Sequence, residues 1–170
     1  MRHGMTHHNA KGGPMVSTSP ASDAAPDPAD RLALRCHDVV ALLGRLAMGA
    51  IFLIQGFNKI TDVAAFSASL AKRGVPAPSF WGWVGAIVEF GGSLMIIFGV
   101  KARWAALLMI LFVIVATGIS HRYWELAGAD FAAQRSHFFK NLTIAGGFLF
   151  LFLAGAGRLS VDGLLGRNKS

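Results

Sequence analysis

The chain has 170 residues, 54% hydrophobic and 15% charged, with a mean hydropathy of +0.50, which leaves room for one membrane bundle and excludes a separate soluble catalytic domain. Its net charge of +7 comes from bases scattered over tail, loops and helix ends, so it points to anionic lipid headgroups and not to nucleic acid. Cys36 is the single cysteine, which excludes an intramolecular disulfide, a CxxC redox pair and a cysteine-ligated iron–sulfur cluster.

Residues 1–36 are rich in Gly, Pro, Ser, Thr, Ala and Asp and carry no helical period, which predicts a disordered N-terminal tail. They lack the apolar core of a secretory signal, so no cleavage is expected. His3, His7 and His8 read as solvated side chains, and no metal site is expected anywhere in the chain.

Four apolar runs follow, at 38–60, 80–100, 103–120 and 138–156. About 20 apolar residues rising 1.5 Å each cross a hydrocarbon core of about 30 Å. The predicted fold is therefore all-α, an integral membrane four-helix transmembrane bundle over 37–160, with a C-terminal tail over 161–170.

In the first run Arg45, Gly49, Phe52, Gly56 and Lys59 recur at threes and fours and share one helical stripe. The glycines let a second helix approach closely, and the bases face that helix instead of lipid. The connection 61–79 reads as a short amphipathic helix ending before Gly74, after which Pro76 and Pro78 predict an extended approach to the second run. Trp81 and Trp83 suit the membrane interface. The second run then carries a stripe of small residues, Gly82, Gly85, Ala86, Gly92 and Ser93, around one carboxylate, Glu89. A carboxylate at mid-span costs at least about 3 kcal/mol unless it is paired, hydrated or protonated.

The basic turn at 99–104 makes the second and third runs antiparallel neighbours. The third run ends in Thr117 and His121, one turn apart. Residues 122–137 read as an interfacial hairpin, and the fourth run opens with His137, Lys140 and Asn141. Antiparallel threading brings Gln55, Asn58, Lys59, His121, His137, Lys140 and Asn141 to one membrane side, with Glu89 deeper. A polar cavity in that half of the bundle follows. It can bind a quinone headgroup, hold a small polar solute, or simply contain a Glu89 ion pair with Lys59 or Arg45 that fixes helix register.

The ordered set Gly44, Arg45, Gly49, Gly56 and Lys59, then Gly74, Pro76 and Pro78, Glu89 with Gly91 and Gly92, Gly99 and Arg103, Thr117 and His121, His137, Lys140 and Asn141 with Gly146 and Gly147, and finally Gly157, Arg158, Ser160 and Asp162 resembles the DoxX family. The resemblance covers about 42–163. It implies a four-helix bacterial inner (plasma) membrane protein and looks back to the small membrane subunit of a thiosulfate:quinone oxidoreductase. Relatives are linked to quinone or catechol detoxification and to oxidoreductase complexes of oxidative-stress defence. By position, Arg45, Lys59, Glu89, His121, Lys140 and Asn141 match its polar pattern.

These readings together predict a membrane component of a quinone-linked oxidoreductase or redox-stress system. The ligand-binding or proton-relay candidates are Arg45, Gln55, Lys59, Glu89, His121, Lys140 and Asn141. No cofactor is intrinsic; a quinone is the expected ligand, and a soluble or membrane oxidoreductase partner supplies the redox centre. The chain is not expected to be an enzyme alone. Two alternatives stay open: a small-solute transporter, for which four spans require a homo-oligomer, and a non-catalytic scaffold for a partner protein. The bases Arg31, Arg35, Lys101, Arg103, Arg158, Arg167 and Lys169 on the terminal side outnumber Lys72, Arg73, Arg122 and Arg135 on the other, once Lys59 and Lys140 are assigned to the cavity, and predict cytoplasmic termini.

Overall fold

The computed structural model describes residues 27–167; the N-terminal part of the predicted tail, with its three histidines, lies outside them. Among the described residues all regular structure is helical: α1 (Pro28–Thr61), α2 (Val63–Lys72), α3 (Pro78–Phe98), α4 (Ala102–Ser120), a 3-10 turn (Tyr123–Glu125), α5 (Gly128–Ala154) and α6 (Val161–Arg167). Four of them, α1, α3, α4 and α5, are long and apolar enough to cross a membrane.

Helix α1 starts well before its apolar run, so residues 28–36 are helical and not part of a disordered tail. The Asp27 carboxylate accepts from Ala29 N–H at 2.8 Å, and Pro28 occupies the first turn, where its missing N–H and fixed φ do no harm. At 34 residues, α1 extends about 50 Å and projects beyond the hydrocarbon on the terminal side. Asp62 ends α1 and caps α2, accepting from Ala65 N–H at 3.0 Å. Where an extended approach to α3 was predicted, Ala77 instead adopts a left-handed turn (φ 47°), which lets Pro78 start the helix directly. Helix α5 likewise begins at Gly128, so most of the predicted hairpin is its first three turns.

Helix α1 packs on α3, α3 on α4, and α4 on α5, while α2 lies against α3. The buried face of α1 is Arg45, Gly49, Phe52 and Gly56, and that of α3 includes Gly82, Ala86, Glu89, Gly92 and Ser93. Small residues set these contacts because lipid tails are as apolar as leucine, so helix association depends on close packing. At Gly56 the backbones themselves meet: a Cβ there would sit 2.6 Å from Phe90 N and 2.8 Å from Phe90 Cα. The core is likewise compact, built on Ala105, Ala106, Met109, Ala145 and Phe148, whereas Leu43, Ile54, Ile87, Ile114, Phe150 and Leu153 point outward to lipid.

A polar clasp closes the terminal end. Gly99, at φ 67°, caps α3, with Val100 N–H donating to Met95 O at 2.9 Å. The Asp162 carboxylate accepts from Lys101 N–H at 2.7 Å and Ala102 N–H at 2.8 Å, covering the start of α4. The segment predicted as a C-terminal tail thus forms α6 and docks on the α3–α4 turn. Asp38 holds the same segment by accepting from Arg158 N–H at 2.8 Å.

Candidate functional site

Lys59 lies in the last turn of α1, and Glu89 sits mid-way along α3 beside the Gly56 contact. Because Gly56 lets the two helices touch at backbone distance, the lysine reaches down and its ammonium donates to Glu89 Oε2. Glu89 is 4% exposed, so the carboxylate is out of contact with lipid and held by a charge-assisted bond. The Lys59 ammonium also lies over the Phe66 ring, 4.9 Å from its centroid, and 5.9 Å from that of Phe112.

This pair opens into a cavity of about 310 Å³ between α1, α3, α4 and α5. Its polar lining comprises Gln55, Lys59, Glu89, Ser120, His121, His137, Lys140 and Asn141; Phe52, Phe112, Val113 and Ile144 form apolar walls. Six of the seven residues singled out from the sequence therefore meet in one place. Asn58 is exposed and does not line it.

The side chains are held by bonds between helices. Asn141 Nδ2 donates to Thr117 Oγ1 at 2.9 Å, and Thr117 donates to Val113 O at 2.6 Å, fixing α5 against α4. His121 Nδ1 donates to Gln134 Oε1 at 2.7 Å, and Lys140 Nζ donates to His137 Nδ1 at 3.3 Å. The two imidazoles stack with centroids 5.3 Å apart. Among the described residues no group of three His, Cys, Asp or Glu side chains gathers in the manner of a metal site. Gln134 is a partner the sequence reading missed, although Gln134, His137 and Asn141 repeat at threes and fours on α5.

Arg45 is the exception. It is 1% exposed but sits at the opposite end of the bundle, where its guanidinium donates to Ile97 O at 3.0 Å and to Leu159 O. There it satisfies carbonyls at the end of α3 and ties the C-terminal segment to α1. Arg45 belongs to the clasp and does not join the cavity. The ion pair left open by the sequence is Lys59 with Glu89.

Chemically, the cavity holds two ammonium groups, one carboxylate and two imidazoles. Donors outnumber acceptors, which suits a ligand bearing carbonyl or anionic oxygens.

The DoxX family profile matches residues 40–122, which contribute Lys59, Glu89 and His121 to this cavity. Inner membrane protein YphA of Escherichia coli is 32% identical over 124 residues, covering 73% of this chain and 89% of that protein. The chain belongs to the DoxX family. Inner membrane protein YqjF of the same organism is 35% identical over 135 residues, covering 78% of this chain and 97% of its own length. The Surfeit locus protein 4 homolog of Schizosaccharomyces pombe is 38% identical over 112 residues, covering 62% of this chain but only 35% of the relative. No solved structure matches significantly. With four apolar helices and these relatives, this DoxX-family chain is a multi-pass inner membrane protein in contact with the lipid bilayer.

Proposed function

We propose that the cavity binds the headgroup of a quinone and that the protein serves as the membrane component of a quinone-linked oxidoreductase or redox-stress system. The observation that carries this reading is the Lys59–Glu89 pair opening into a cavity lined by His121, Lys140 and Asn141. A quinone has a carbonyl at each end of its ring, and the ammonium groups of Lys59 on α1 and Lys140 on α5, which line the cavity from different helices, supply a donor for each. Reduction of a quinone to a quinol takes two electrons and two protons. The electrons come from a partner protein, while Glu89 and the imidazoles are the groups able to pass protons.

Purification in mild detergent, followed by mass spectrometry of retained small molecules, tests the reading with wild type and Glu89→Gln side by side. A quinone held by wild type and lost from the variant is expected. Equal retention in both, or none in either with a soluble partner still bound, supports a scaffold instead.

A further inference from the structure

A second cavity, of about 440 Å³, lies between α3 and α4 under α2. Val84 and Val88 form one wall, Leu111 and Val115 the other, and Phe66 and Leu70 of α2 cover it. Its lining is apolar except for the Trp81 indole and for Lys59 and Ser120, which it shares with the polar cavity together with Phe112 and Ala116. The two spaces are thus adjoining compartments separated by the Lys59 stem and the Phe112 ring. The outer rim faces hydrocarbon: Leu111 is 61%, Val115 50% and Trp81 47% exposed on a helix surface that lies in lipid.

We propose that the ligand of the polar cavity carries an isoprenoid chain, that this chain lies in the cleft between α3 and α4, and that the ligand reaches its site sideways from the bilayer. The inference rests on the quinone reading and narrows it to lipid-borne quinones. A headgroup bonded at Lys59 has the cleft beginning at the same side chain, so a chain attached to its ring continues into apolar walls. Both volumes fall in the range of ordinary ligand sites. A water-soluble quinone or catechol would leave the cleft with no role.

The test uses the full chain in lipid nanodiscs and two ligands with one headgroup, decylubiquinone and its chainless counterpart. Val88 and Val115 line the cleft but not the polar cavity, so Val88→Trp and Val115→Trp fill the chain site and leave the headgroup donors in place. Each is expected to weaken decylubiquinone about tenfold or more relative to wild type and to leave the chainless ligand unchanged. Decylubiquinone affinity that survives both substitutions overturns the proposal while leaving the headgroup site standing. Failure of both ligands to bind wild type overturns the quinone reading as well.

Wild type alone also decides the matter if a variant does not fold. Decylubiquinone with a photoreactive diazirine at the chain end should label 81–88 or 108–119 saturably. Labelling spread over the lipid faces of α1 and α5 overturns the chain assignment.

Discussion

Lys59 and Glu89 depend on each other because, among the described residues, neither charge forms another ion pair. Removing the lysine leaves a carboxylate buried in low dielectric, and that penalty exceeds what the pair contributes while intact. Lys59→Met alone should therefore destabilise the protein by about 3 kcal/mol, whereas Lys59→Met with Glu89→Gln should recover most of the loss. Denaturant titration of the four members of this cycle in detergent measures the coupling, and additive losses would contradict it. The pairing partner was only half legible in the sequence, where Arg45 and Lys59 share a stripe. Depth separates them, since Arg45 lies about 21 Å from Lys59 along α1, too far for both to reach Glu89.

Between elements, the decisive contact is glycine against backbone. A methyl group at Gly56 meets Phe90 N and Cα, which cannot rotate away as a side chain can, so α1 must lift from α3 and take Lys59 with it. Gly56→Ala should cost about 2 kcal/mol in thermal or denaturant unfolding. Gly44→Ala should be neutral or slightly stabilising, because nothing lies within 4 Å of the added Cβ and alanine is the better helix former. The two helix faces were readable because their buried residues repeat at threes and fours, with glycines among them on both. Helix starts were not: Asp27, Ala77 and Gly128 fix them through capping and turns, and hydropathy does not register those. Gln134 was hidden for the same reason, lying in a segment read as an interfacial hairpin that is already α5.

On the scale of the whole molecule, the two ends of the bundle differ in chemistry. One is closed by Arg45, Gly99, Asp38 and Asp162, which bind backbone groups and hold the C-terminal segment in place. The other opens on the cavity. This polarity was legible from antiparallel threading alone, since alternate helix ends share a membrane side. The clasp was not, because its bonds join Arg45 to Leu159 and Lys101 to Asp162, pairs with no periodic signature. The excess of bases on the clasp side predicts that this end faces the cytoplasm. Cys36, the single thiol and partly exposed near the start of α1, should then react with a membrane-impermeant maleimide in inverted vesicles but not in intact spheroplasts. The reverse pattern would put the cavity on the cytoplasmic side.

The cavity donors should bind a carbonyl oxygen, and the infrared carbonyl stretch of an isotope-labelled quinone reports this directly. In wild type the bound carbonyl band should lie below its position in empty lipid vesicles, and Lys59→Met should return it toward that position. A band at the vesicle frequency in wild type, unchanged by the substitution, would contradict the claim and leave Lys59 and Glu89 as a structural ion pair.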